Sequence, residues 1–135
     1  MAKSKTNQSQ INMNYAYAEI GTEIAAGLKS FPNSAMNGFT LQNTNTRFRC
    51  DVAGLYYITA RQLISTNANQ IYFKILKNGA ETGYAYPKPN IGTQDVLTNA
   101  TLPLAVNDYI EVQQTLSITA CWAGGHSHIS IMRIG

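Results

Sequence analysis

The chain has 135 residues, of which 44% are hydrophobic and 13% charged, with a net charge of +3; that is enough apolar matter for one domain with its own core. The positive charge is too slight and too evenly spread for a nucleic-acid surface, and no run is long and apolar enough for a membrane-spanning helix. The opening MAKSKTNQSQ lacks the apolar centre of a secretory leader, so synthesis in the cytoplasm is expected.

In chain order, residues 1–14 are expected to form a flexible arm, because almost no apolar side chain precedes Ile11 and ordering entropy is left without compensation. Lys3, Lys5, Asn7, Gln8 and Gln10 are the arm residues available to a partner. Residues 15–135 form the folded domain. Short alternating runs then recur between Gly, Asn, Asp and Pro punctuation: NYAYAEI, FTLQN, RFRCDV, LYYITARQLI, QIYFKILK, ETGYAY, TQDVLTNATLPL, DYIEVQQTL and SHISIMRI. They predict an all-β sandwich. EIGTEIAAGLK is the one stretch with helical tendency, yet Gly21, Gly27 and Thr22 weaken it, leaving a strand followed by an irregular connection. In RFRCDV, alternation puts Arg47 and Arg49 on one solvated face and Phe48 on the other.

Two runs are too apolar for a sheet with one wet face: Leu55-Tyr56-Tyr57-Ile58, and Ile71-Tyr72-Phe73 continued by Ile75-Leu76. Neighbouring strand residues point to opposite faces, so Tyr56 and Tyr57 cannot both enter one core. Another copy of the chain is the economical cover, and self-association is the first functional expectation. Cys50 and Cys121 have no zinc-type spacing and read as free, buried thiols. Seven acidic residues are scattered, with no paired carboxylates, Ser-His-Asp ordering or phosphate-cradling loop. Neither catalysis nor a cofactor is expected. Asp108 reads as a turn residue whose carboxylate bonds nearby amides.

Phe48-Arg49-Cys50-Asp51-Val52-Ala53-Gly54-Leu55-Tyr56-Tyr57-Ile58 resembles the signature of the C1q-like, tumour-necrosis-factor-like jelly-roll family, in which an aromatic precedes Gly-hydrophobic-Tyr-aromatic at the start of a central strand. Ile75-Leu76-Lys77-Asn78-Gly79 and Leu102 to Val112 follow in the family's order, with Asn107 where glycine is usual, and His128 to Ile134 stands at the closing strand. The resemblance implies a jelly-roll β-sandwich forming a compact homotrimer, with LYYITARQLI, DYIEVQQTL and HISIMRI in one inner sheet facing the threefold axis. Tyr56, Tyr57, Tyr109, His128, Ser130 and Met132 are then the expected trimer contacts.

A short basic arm on a free-standing jelly roll looks like the capsid decoration (cement) proteins of tailed bacteriophages. That likeness implies a virion protein on the capsid surface, partnered by the major capsid protein. The alternative is a receptor-binding or adhesion module, such as a fibre tip gripping a cell-surface glycan through Tyr84, Tyr86 and Lys88 in the Pro-stiffened YAYPKP loop. His126 and His128, the only histidines, are weak metal candidates. Alternation from the inward Ile129 and Ile131 places both on the opposite face with Ser130 and Met132, where contact with a neighbouring subunit and acid sensitivity are expected.

Overall fold

Alternation gives each short strand one inward and one outward row of side chains. The computed structural model, which describes residues 13–66, 71–85 and 93–135, pairs these strands into two antiparallel six-stranded sheets that enclose the apolar rows. The first sheet contains β1 (Tyr15–Glu19), β3 (Ser34–Asn37), β6 (Gly54–Ser65), β9 (Thr93–Leu104), β11 (Ala120–Trp122) and β12 (His128–Arg133). Its order is β3-β1-β12-β6-β9, with β11 pairing residues 63–65 of β6 beyond the end of β12. The second sheet contains β2 (Gly27–Leu28), β4 (Phe39–Gln42), β5 (Arg47–Cys50), β7 (Phe73–Lys77), β8 (Ala80–Ala85) and β10 (Tyr109–Gln114), in the order β4-β5-β10-β7-β8 with β2 beside β10.

The nine runs read from the sequence all contain strands; β2, β3 and β11 are additional. These three are short, and β3 carries Ser34, Ala35 and Asn37 exposed, so hydropathy gave them no signature. One placement is corrected. DYIEVQQTL does not join LYYITARQLI and HISIMRI: β10 lies in the second sheet, between β5 and β7, whereas β6 and β12 pair directly in the first.

The main core cluster runs from Ala16, Ala18 and Ile20 through Phe31, Phe48, Tyr56 and Ile58 to Val112, Ile129 and Ile131. A second cluster gathers Ile64, Ile71, Phe73, Val96 and Ile118. The apolar run of β7 is absorbed inside the chain, because a register irregularity at Ile75/Leu76 lets two consecutive side chains bury. Asn78 and Gly79, at φ 53° and 83°, make the left-handed two-residue turn into β8. Gly83 is required for a different reason: a Cβ there would lie 2.5 Å from the Asn99 carbonyl oxygen, so a side chain would force β8 away from β9.

Candidate functional site: the outer face of the β6 sheet

Since Ala16, Ala18, Ile58, Ala60, Ile129 and Ile131 point inward, the intervening residues of the first sheet must face out. That outward row is unusually apolar. Tyr17 is 43% exposed, Tyr57 42%, Met132 52% and Leu97 57%. Leu55 and Trp122 add to it. The register carries Met132 between Tyr15 and Tyr57 and Ser130 between Tyr17 and Thr59. Met13, Tyr15, Tyr17, Ser130 and Met132 line a groove of about 350 Å³ beside Arg133. Tyr17, Tyr57, Leu97 and Met132 would each contribute roughly 1 kcal/mol if covered.

Charge is sparse here. Arg61 of β6 and Asp95 of β9 make a two-pronged ion pair, with Nη2 to Oδ2 at 2.9 Å and Nε to Oδ1 at 3.3 Å, and the Arg61 hydrogen bonds hold the Asp95 carboxyl below its ordinary pKa. His128 stands between Glu19 and Arg61 in the register. Its ring lies 5.5 Å from that of Tyr17, and its Nδ1 is buried without a partner.

Of the residues expected at a subunit contact, Tyr57, His128, Ser130 and Met132 do share this face. Tyr56 does not. Alternation that sends Tyr57 out sends Tyr56 in, where it is fully buried, its Oη donating to the Val52 carbonyl at 2.6 Å. Burial pushes its phenol pKa up to about 12. Tyr109 is also displaced from the expected site: it lies on the outer side of the second sheet, under the Arg47 guanidinium at 3.9 Å. His126 belongs to a 3-10 turn, Gly124–His126, and not to β12, so alternation does not pair it with His128. Among the described residues, no group of three or more His, Cys, Asp or Glu side chains is placed to hold a metal ion.

Lys3, Lys5, Asn7, Gln8 and Gln10 of the expected arm lie outside the described residues, as do Tyr86 and Lys88 of the expected ligand loop; of Tyr84 only the backbone is described, in β8. Tyr17 and Leu97 were missed as site residues. Their signal was present: Ala16 and Ala18 flank Tyr17, and Val96 precedes Leu97, so each large residue falls in the outward register of an alternating strand.

The opposite face is built differently. Arg47 pairs with Glu111 at 3.2 Å, Arg49 with Asp51 at 3.0 Å, Lys74 with Glu81 at 2.9 Å and Lys77 with Asp108 at 3.7 Å. Asp108 fixes the turn before β10, as its position suggested: Oδ2 accepts the Ala105 N–H at 2.8 Å and Oδ1 the Asn78 amide at 2.9 Å. Those bonds lower its pKa. Asn107 takes the left-handed backbone at φ 76°. Cys50 and Cys121 are both free thiols, the first buried and the second partly exposed.

Two antiparallel sheets in this order, closed over one interior, define an all-β jelly-roll sandwich of tumour-necrosis-factor-like type. The particular likenesses are to crystal structures of murine APRIL. At pH 8.5 the TM-score is 0.67 with 10% identity, over 89% of this chain and 99% of that one. At pH 5.0 it is 0.67 with 10% identity, over 91% and 100%. At these identities the likeness shows the fold alone. No protein-family model and no curated protein matches the chain.

Proposed function

We propose that this chain is a non-enzymatic structural protein that self-associates as a homotrimer and decorates a phage capsid. The observation that carries self-association is the uncovered apolar row Tyr17, Tyr57, Leu97 and Met132 on the first sheet. Contiguous exposure of this kind usually marks a contact surface. Its layout favours a ring over a two-fold dimer: the groove lies at β1 and β12, while Leu97 projects from β9 at the other side of the sheet. Leu97 of one copy entering the groove of the next gives a head-to-tail contact, which closes when the rotation divides a circle. The C1q-like and tumour-necrosis-factor-like resemblance supports three copies.

The capsid role is supported by the resemblance to decoration proteins and by the sequence of the arm. Three segments bearing Lys3 and Lys5 on one trimer would act as a multivalent ligand, so modest single contacts give tight attachment where the spacing matches. Co-sedimentation with undecorated capsids tests this. Full-length protein should pellet with the shells, and protein lacking residues 2–12 should not. If the truncated protein binds equally well, the arm is not the attachment device. Binding to host cells instead of capsids, lost on changing Tyr84 and Tyr86 to Ala, would replace the decoration reading with adhesion.

A further inference from the structure

Two Asn-Gly pairs occur in the chain, Asn37-Gly38 and Asn78-Gly79, and the fold uses them differently. An asparagine before glycine is open to attack on its side-chain amide by the next backbone nitrogen, because glycine carries no side chain to shield that nitrogen. Asn37 donates its Nδ2 to the Met13 carbonyl at 2.7 Å and sits in the ladder between β3 and β1. Asn78 and Gly79 form the exposed turn between β7 and β8, where a Cβ on Gly79 would meet nothing nearer than Tyr109 Oη at 4.0 Å. Both ends of the Asn78 amide reach across to the start of β10. Its Nδ2 donates to Asp108 Oδ1 at 2.9 Å, and its Oδ1 accepts the Tyr109 N–H at 2.9 Å. The Asn78 N–H adds a third bond, to the Tyr109 carbonyl at 2.9 Å.

From this arrangement we infer that Asn78 is a hydrolytic modification site, at which deamidation turns the clasp between the β7–β8 turn and β10 into a repelling pair of carboxylates. The reaction needs only water and hydroxide. The Gly79 amide nitrogen gives its proton to hydroxide and attacks Asn78 Cγ. A C–N bond closes a cyclic imide, the Cγ–Nδ2 bond breaks, and the nitrogen leaves as ammonia with a proton from water. Water then opens either side of the imide. One product is an ordinary aspartyl residue; the other routes the main chain through the former side chain. No electrons are transferred.

The folded turn restrains the first step. The two bonds to the amide hold it against β10, so Cγ must be released from both before the Gly79 nitrogen can reach it, and the rate follows local opening of the turn. The consequence is one-way. The new acid at position 78 loses the donor that Asp108 accepted, and two carboxylates about 3 Å apart cannot both stay charged without cost. Lys77, with Nζ 3.7 Å from Asp108 Oδ2 and donating to the Pro103 carbonyl at 2.8 Å, is one cation facing two acids.

The experiment warms full-length protein for days at mildly alkaline pH and follows it by peptide mapping. Folded wild type should slowly gain the mass of amide-to-acid conversion at Asn78, and urea-unfolded wild type should gain it at least about tenfold faster. Asp108→Ala removes the acceptor of Nδ2 and should speed the folded reaction about fivefold. Equal rates in folded and urea-unfolded wild type would overturn the inference, as would an Asn78 left intact in urea; both readings use wild type and stand even if the Asp108 variant does not fold. Asn78→Asp should lower the thermal midpoint by about 4 °C near neutrality, and the gap should close below about pH 4 as a shared proton restores a bond between the two acids. A variant as stable as wild type near neutrality would show that the amide is not a clasp.

Discussion

The two outer faces of the sandwich solve the same problem in opposite ways. On the second sheet, Arg47 lies over the Tyr109 ring while holding Glu111, which is only 4% exposed, and three further ion pairs hold the face and its turns. That face satisfies these charges within the chain. On the first sheet, the one ion pair among the described residues is Arg61 with Asp95, and the apolar row of Tyr17, Tyr57, Leu97 and Met132 meets water. Sheets packed on one side usually alternate apolar inward and polar outward, and only the second sheet follows this closely. Stability of the single chain and association between chains are therefore expected to depend on different residues.

The largest expected effect comes from placing a charge on the apolar face. Leu97→Asp or Tyr57→Asp should reduce the solution mass to that of the 14.8 kDa chain at micromolar concentration, with association weakened at least about 100-fold, because an unpaired carboxylate costs several kcal/mol to bury. Light scattering reads the mass and circular dichroism checks that the fold is kept. The matched change on the second sheet, Lys74→Ala with Glu81→Ala, should leave the mass unaltered and cost under about 1 kcal/mol. Should both pairs of changes leave the mass alone, the contrast between the faces carries no functional meaning.

Next in size is the Arg47–Glu111 pair. Arg47→Met strands a buried carboxylate, and urea unfolding should show a loss of about 3 kcal/mol. Arg47→Met with Glu111→Gln should recover much of it. Neither change is expected to alter the oligomeric mass; if Arg47→Met disperses the assembly, the charged face is also a contact.

How far sequence reached can be judged at particular residues. Alternation located the main strands and placed Ile129 and Ile131 inward, and the doubled tyrosine at 56 and 57 correctly signalled an apolar surface without cover. It did not say which tyrosine pointed in. That was settled by the Val52 carbonyl, which satisfies the Tyr56 hydroxyl in the core. Likewise the run Ile75-Leu76 looked like the same signal, but an irregularity in pairing buried both inside the chain. Sheet membership of β10 and the turn holding His126 depend on pairings between distant segments, such as Val112 with Ile75, and no local pattern encodes those.

The acid limb of stability should follow the second sheet's turn. Asp108 has a lowered pKa in the folded chain, chiefly from its bonds to Asn78 and Ala105. Its contribution is thus fully present above the ordinary Asp value of about 3.9 and is lost as pH falls through the lower folded value. Asp108→Asn should cost about 1 kcal/mol near neutrality and flatten the decline in stability below about pH 4, read by denaturant titrations at several pH values. A decline as steep as that of wild type would assign the acid limb to other carboxylates.

A change with no expected effect on association separates it from the fold most cleanly. The inward row of the first sheet is not wholly apolar: while Leu63 faces out, its neighbour Gln62 faces in, fully buried, with neither Nε2 nor Oε1 bonded. It stands between Ala60 of the main cluster and Ile64 of the second cluster on the inward row of β6. An unbonded buried amide is costly, and an apolar group of similar shape removes that cost. Gln62→Leu should therefore stabilise the chain by about 1–2 kcal/mol, raising the thermal midpoint by several degrees. Because the change lies wholly inside, the association constant should stay that of wild type. A shift in association from this interior change would mean that the two faces communicate through the core, and that the apolar face cannot be treated as a surface independent of the fold beneath it.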